Sequence, residues 1–131
     1  MNLNILIIGS TGTLGSKLLN YSRNNKISIH GITCFKNTKK IINQKIKHKI
    51  KYFFSLSIEE DKNNFTNYLK KNKFRIIYFL DYGSQSLEFL DIILKKNSNL
   101  ILAIANKELL IAGGSLLIKT INNTGNYLIP L

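Results

Sequence analysis

Short apolar runs alternate with amphipathic stretches along this chain. The runs have the length and the β-branched or aromatic composition of strands that are buried on both faces of a parallel sheet. The stretches between them space apolar residues three or four apart, as helices do. The pattern predicts strands at Asn2–Gly9, Ile27–Thr33, Tyr52–Leu56, Phe74–Leu80, Leu100–Ala105 and Tyr127–Leu131, and helices at Thr13–Ser22, Asn37–Gln44, Ile58–Lys71, Gln85–Lys96 and Leu109–Asn122. This alternation predicts a doubly wound parallel sheet of the Rossmann-like α/β class, as a single domain over residues 1–131.

A glycine-rich turn, which reads GSTGTLG at residues 9–15, joins the first predicted strand to the first helix. Gly9 allows a sharp turn, Gly12 allows a close approach of the backbone to a pyrophosphate, and Gly15 allows the helix to pack tightly. The N–H groups at the start of the helix then face the anion. The spacing is G-x-x-G-x-x-G rather than G-x-G-x-x-G, so an ordinary strand-to-helix turn is the alternative.

The residues after the second predicted strand decide which nicotinamide cofactor fits. NAD-binding sites usually carry an acidic residue here, about 20 residues after the glycine turn, for the ribose hydroxyls. This chain has no acidic residue before Glu59, and Lys36 follows the strand instead. A lysine at this place would stabilise the 2′-phosphate of NADP. The sequence therefore predicts a preference for NADP(H), with a general excess of lysine as the alternative explanation of Lys36.

Further polar residues follow the fourth and fifth predicted strands. Asn106, Lys107 and Glu108 come directly after the fifth strand, and Asp81 follows the fourth as an isolated acid. Because ligands bind at the carboxyl ends of the strands in such sheets, the glycine turn, Lys36 and residues 106–108 are expected to meet at one crevice.

The tetrapeptide Ala-Asn-Lys-Glu at residues 105–108, combined with the GSTGTLG turn, resembles the deoxyxylulose-phosphate reductoisomerases, the NADPH enzymes of the methylerythritol phosphate route to isoprenoids. The resemblance spans the whole chain, but only the N-terminal, NADPH-binding domain of the family. It implies cofactor-binding roles for Thr11, Gly12, Thr13, Leu14, Lys36, Asn37, Asn106 and Glu108. It also implies that Lys107 contacts the sugar phosphate substrate, and it places no catalytic residue or metal ligand in the chain.

The resemblance also implies a reaction for the complete enzyme, which is expected to be a homodimer. With Mg²⁺ or Mn²⁺ it would rearrange 1-deoxy-D-xylulose 5-phosphate and reduce the product with NADPH to 2-C-methyl-D-erythritol 4-phosphate. The metal-binding segment of the family would begin after Leu131, so we expect the catalytic domain to be absent and the chain alone to be inactive. Two features depart from the family pattern: Phe35 replaces a glycine, and the loop at Asp81 replaces a small, glycine-rich one. A degenerate, non-enzymatic nucleotide-binding remnant is the alternative.

Charge and composition narrow the remaining classes of function. The net charge of +12 favours a polyanion partner, but Arg23 and Arg75 are the only arginines, and abundant Lys, Asn and Ile are typical of an A/T-rich genome. We therefore expect a solvated lysine surface rather than a specific nucleic-acid partner. No apolar run is long enough to cross a membrane. The single cysteine, Cys34, and the absence of a predicted signal peptide favour a cytoplasmic protein.

Overall fold

The computed structural model describes residues 3–131, except for the side chains of Leu116, Thr120 and Asn122. The strands are β1 (Ile5–Ile8), β2 (Gly31–Cys34), β3 (Tyr52–Ser55), β4 (Ile76–Phe79), β5 (Ile101–Ile104) and β6 (Tyr127–Pro130). The helices are α1 (Thr13–Asn24), α2 (Thr38–Lys47), α3 (Glu59–Lys71), α4 (Leu87–Lys96) and α5 (Lys107–Thr124). Every predicted element is present, and only the boundaries differ.

The strands form one six-stranded sheet in the order β3-β2-β1-β4-β5-β6. Every neighbouring pair is parallel. The strand order reverses between β1 and β4, which lie side by side at the centre of the sheet. The crossover helices therefore leave the carboxyl ends of these two strands open as a crevice, which is where doubly wound sheets bind their ligands. The predicted fold class is confirmed.

The two faces of the sheet bury separate apolar clusters. One cluster packs under α3, α4 and α5 and includes Leu6, Phe79 and Leu102. The other packs under α1 and α2 and includes Ile7 and Ile32. Neighbouring residues of β1 therefore point to opposite faces, and both are fully buried, as expected for a central parallel strand.

The boundaries that differ from the prediction have local causes. β2 begins at Gly31 rather than at Ile27, because Lys26 adopts a left-handed conformation (φ 56°) and the Ile27 N–H bonds back to the end of α1. The helix α5 begins at Lys107, two residues before the predicted start, because the Asn106 side chain caps it. Asn2, where the first strand was predicted to start, lies outside the described residues. Within residues 3–131, no helix is both long and apolar enough to cross a bilayer.

Candidate functional site

The three glycines of the turn between β1 and α1 meet different surroundings. Gly9 has φ +91°, and a Cβ atom there would lie 2.4 Å from the backbone nitrogen of Asp81. A Cβ atom at Gly15 would lie 2.5 Å from the carbonyl oxygen of Gly9. Around Gly12, in contrast, a Cβ atom would meet nothing within 4 Å. Two glycines are thus required by packing within the protein, whereas Gly12 leaves open space at its surface.

The first turn of α1 is left without a cap. Gly12 is the N-cap residue, no side chain among the described residues caps the helix, and its first turn carries no acidic residue. The first backbone N–H groups of a helix have no partner within the helix. Two other helices satisfy such groups with asparagine caps, Asn37 on α2 and Asn106 on α5. The start of α1 therefore offers backbone donors and a favourable dipole to an anion.

Buried hydrogen bonds hold the turn from below. The Ser10 hydroxyl donates to Gln44 Oε1, and Gln44 Nε2 donates to the Ser10 carbonyl oxygen, both at 2.8 Å. The backbone N–H groups of Gly9 and Ser10 donate to the Thr33 carbonyl oxygen of β2 at 3.1 and 2.9 Å. No sequence motif marks Gln44 as a site residue. The signal that could have found it is a polar residue three positions after the buried Ile41, on the inward face of α2.

A cleft of about 290 Å³ opens in front of the turn, at the carboxyl ends of β1, β2 and β4. Its lining residues are Gly9, Thr11, Gly12, Phe35, Lys36, Asn37, Leu80, Asp81, Tyr82 and Gln85. The fold thus brings together four of the predicted cofactor residues from two separate loops. Of the other predicted residues of the turn, Thr13 and Leu14 lie in the first turn of α1 and are exposed.

Phe35, Lys36 and Asn37 form the side of the cleft that follows β2. The ammonium group of Lys36 lies 5.8 Å from the centroid of the Phe35 ring, and both side chains are exposed. The Asn37 side chain accepts a hydrogen bond from the Lys40 N–H and so caps α2. Lys36 thus places a cation at this cleft, while Phe35 occupies space beside it.

A second polar network holds the loop that follows β4. Asp81 accepts hydrogen bonds from the Ser86 hydroxyl and, at 3.3 Å, from Asn106 Nδ2. The same Nδ2 donates to the Gly83 carbonyl oxygen at 2.6 Å, and the Gly83 N–H donates to Glu108 Oε2 at 3.1 Å. Burial raises the pKa of the Asp81 carboxyl above its ordinary value, against the hydrogen bonds that lower it, and Glu108 raises it further. The fold thus ties Asp81 to the start of α5 through Asn106.

The predicted residues 106–108 lie beside the cleft rather than in its wall. Asn106 is buried, and its side-chain oxygen accepts from the Leu109 N–H at 3.0 Å, so both ends of the side chain bond within the protein. Lys107 and Glu108 are exposed. Among the described residues, the lining of the cleft includes none of these three. The loop at residues 81–86 separates them from the glycine turn.

A larger cavity, about 910 Å³, lies at the amino ends of β4, β5 and β6. Its lining residues are Arg75, Asn99, Ile101, Ile118, Ile121, Asn126, Tyr127, Leu128 and Ile129. This cavity lies at the opposite end of the strands from the glycine turn, and its lining contains no predicted site residue. We therefore assign the site to the smaller cleft. Within residues 3–131, no group of three or more His, Cys, Asp or Glu residues could hold a metal ion.

The profile of the family described as 1-deoxy-D-xylulose 5-phosphate reductoisomerase matches residues 5–91, well over half of the chain. The chain belongs to the reductoisomerase family. The matched range contains the glycine turn, Lys36 and the loop at Asp81. The family that the sequence resembles is therefore confirmed. A comparison with curated proteins found no match.

Solved reductoisomerases share the fold of the chain. It is similar to the reductoisomerase from Zymomonas mobilis in complex with NADPH, with a TM-score of 0.79, 18% identity and coverage of 99% of this chain and 39% of that one. A reductoisomerase in complex with NADPH, fosmidomycin and magnesium gives a TM-score of 0.77, 20% identity and coverage of 98% and 36%. A homoserine dehydrogenase from Thiobacillus denitrificans has a TM-score of 0.69 and 14% identity, and the match covers 98% of this chain and 29% of that one. This chain thus spans less than two fifths of the length of these reductoisomerases, and at such identities the likeness concerns the fold.

Proposed function

We propose that residues 1–131 are the NADPH-binding domain of a reductoisomerase. The observation that carries the proposal is the convergence of three features on one cleft: the uncapped start of α1, the open surface of Gly12 and the Lys36 ammonium group. Two solved reductoisomerases that share the fold contain NADPH, which supports this choice of cofactor.

The residues of the cleft fit the two anionic parts of NADPH. The backbone of residues 11–14 would hold the pyrophosphate, because the start of α1 has free donors and no acidic residue in its first turn. Lys36 and Asn37 would contact the adenosine 2′-phosphate. Asn106 and Glu108 would hold the nicotinamide half, on the other side of the loop at residues 81–86, which requires the bond from Asn106 Nδ2 to the Gly83 carbonyl oxygen to open when the cofactor binds. When bound, NADPH would supply the hydride, and the protein would supply position and charge.

For the complete enzyme we propose the reaction of the family, the metal-assisted rearrangement of 1-deoxy-D-xylulose 5-phosphate followed by reduction in the cytoplasm. Lys107 is exposed beside the cleft and would bind the phosphate of the sugar. The Mg²⁺ or Mn²⁺ site, the catalytic domain and the homodimer contacts are proposed to lie outside residues 1–131. The solved relatives are more than twice as long as this chain, which supports that division.

A titration with NADPH and NADH tests the cofactor proposal. We expect NADPH to bind in the micromolar range and NADH more weakly, because NADH lacks the phosphate that Lys36 would contact. Duplex DNA titrated at two salt concentrations serves as the comparison, and its binding should be weak and should fall steeply as salt rises. Equal dissociation constants for NADPH and NADH, or tight DNA binding that depends on sequence, would refute the proposal.

A turnover assay tests the division of labour. The chain alone, with NADPH, the sugar phosphate and excess Mg²⁺ or Mn²⁺, should not oxidise NADPH, because the metal must polarise the substrate oxygens and needs several oxygen ligands at one place. Metal-dependent turnover that Lys107→Ala abolishes would show that the metal site lies within these residues.

A non-enzymatic remnant is the second candidate. Phe35 lines the cleft, and the partly buried Asp81 lines the same space, so both departures from the family pattern fall where the cofactor would lie. The remnant proposal predicts that a separately supplied catalytic domain restores no turnover even when NADPH binds.

A further inference from the structure

We propose that Gln44 is a positioning residue that holds the glycine-rich turn in its anion-binding conformation. The proposal rests on the NADPH-binding function above. Gln44 is on α2, far from the turn in sequence, and its amide group bonds twice to Ser10. Ser10 lies between Gly9 and Thr11, which both line the cleft.

The hydrogen-bond chemistry fixes the orientation of the glutamine. The Ser10 carbonyl oxygen can only accept, so the Gln44 atom 2.8 Å from it is the amide nitrogen. The amide oxygen is then left to accept the Ser10 hydroxyl proton. Both contacts are buried, and Ser10 itself is fully buried. A reciprocal pair of this kind restrains the main chain of Ser10 as well as its side chain.

Packing alone does not require a glutamine at this position. Its neighbour one helical turn earlier, Ile41, is apolar and fully buried, and an apolar residue would fill the same face of α2. Burying an amide costs free energy unless both of its ends are bonded. Both ends of Gln44 bond to the glycine turn, with a further contact from Nε2 to the Ser16 hydroxyl at 3.4 Å. The side chain therefore links α2 to the turn and to the start of α1.

This link also joins the two ends of the proposed cofactor site. α2 begins just after Lys36 and is capped by Asn37, and these two residues line the cleft. Gln44 connects the same helix to the residues proposed to hold the pyrophosphate. α2 thus positions the 2′-phosphate contact through its start and the pyrophosphate contact through Gln44.

The first test needs no ligand. Gln44→Met removes both hydrogen bonds at similar volume, and Asn43→Met makes a comparable change on the exposed side of α2. The N–H groups of Gly9 and Ser10, bonded to Thr33, should exchange with solvent about tenfold faster in Gln44→Met, while those of Ile7 and Ile32 in the sheet keep their relative protection. Asn43→Met should leave all four unchanged. Unchanged exchange at Ser10 in folded Gln44→Met would overturn the proposal.

The second test separates positioning from a general loss of structure. Gln44→Met should raise the dissociation constant for NADPH about tenfold. Adenosine 2′-monophosphate, which carries the 2′-phosphate but no pyrophosphate, should bind both proteins equally. If Gln44→Met lowers the affinity for both ligands equally, or lowers neither affinity, the proposal is overturned. If Gln44→Met does not fold, Ser10→Ala removes the hydroxyl bond to Gln44 Oε1 and the longer contact to the Thr33 carbonyl oxygen, but keeps the bond from Gln44 Nε2. This variant should shift NADPH binding in the same direction by a smaller factor.

The two tests keep this inference separate from the proposed function. If the unchanged protein binds no NADPH, the proposed function fails, while the exchange rates still report whether Gln44 holds the turn. If NADPH binds and Gln44→Met behaves like Asn43→Met, the proposed function stands and the role of Gln44 is wrong.

Discussion

The turn after β1 and the loop after β4 lie side by side, and both line the cleft. The first is held from outside, by Thr33 of β2 and Gln44 of α2, and within the described part of the chain no side chain caps the start of α1. The second is held by polar groups at its own surface, through Asp81 and Gly83, which bond to α5. Neighbouring loops of one sheet can therefore either present their hydrogen-bonding groups to a ligand or use them within the protein.

The helices that follow these two sites differ in the same way. The start of α1 carries no cap, whereas Asn106 caps α5 and takes up the Leu109 N–H. An anion at the start of α5 would compete with that cap. A sugar phosphate held there would therefore depend on the Lys107 side chain, whereas the pyrophosphate at α1 would depend mainly on backbone N–H groups.

The largest effect is expected from a pair of glycine substitutions within the first turn. Gly9→Ala places a Cβ atom 2.4 Å from backbone at a positive φ, so we expect a loss of about 3 kcal/mol or more in the free energy of unfolding. Gly12→Ala places a Cβ atom in open space and should lower that free energy by about 1 kcal/mol at most, the cost of alanine at the N-cap of α1. Denaturant unfolding measures both values.

Gly12→Ala should have a larger effect on ligand binding than on stability. Gly12→Ala should weaken NADPH binding about tenfold, because the added methyl group occupies the surface that the pyrophosphate must approach. Titration of the folded Gly12→Ala protein checks this result. Unchanged affinity would mean that the open space at Gly12 is not part of the cofactor site.

The next largest effect is expected from reversing the charge of Lys36 at the side of the cleft. Lys36→Glu should raise the dissociation constant for NADPH by about tenfold or more, through loss of a charge-assisted contact and a new like-charge repulsion. NADH binding should change less. Lys47→Glu alters the net charge equally at the other end of α2 and should change both affinities little. If both lysine variants lose NADPH affinity equally, the effect of Lys36→Glu comes from the change in net charge and not from a contact with the 2′-phosphate.

The sequence predicted the first half of the site better than the second, for a physical reason. Glycine spacing, a preceding apolar strand and Lys36 are local signals, and they placed the turn and the charge at one cleft. The contact between Gln44 and Ser10 joins residues 34 positions apart, and the bond from Asn106 to Asp81 joins residues 25 apart. Such pairings depend on how α2 and α5 pack on the sheet, so no local pattern could predict them.

The smallest effect concerns the acid in the second loop. Asp81 faces the cleft with a pKa raised above its ordinary value, chiefly by burial, so its carboxyl becomes charged only as the pH rises through that raised pKa. The charged form repels a bound phosphate. The affinity for dinucleotide should therefore fall as the pH rises through this range, and Asp81→Asn, which stays neutral, should bind about threefold more tightly than the unchanged protein once the pH exceeds the Asp81 pKa.

The choice of ligand isolates the titration of Asp81. The only phosphate group of NADH is the pyrophosphate, whose charge is constant near neutral pH. The 2′-phosphate of NADPH, in contrast, titrates with a pKa of about 6, as other phosphomonoesters do. An asparagine can still accept from Asn106 and can donate to the Ser86 hydroxyl, so the loop keeps both of its bonds. The affinity for NADH, measured as a function of pH, should slope downwards in the unchanged protein and be flat in Asp81→Asn. Parallel curves for the two proteins would mean that the charge of Asp81 does not affect the binding of the pyrophosphate. The two loops would then differ in their hydrogen bonding but not in their effect on the ligand.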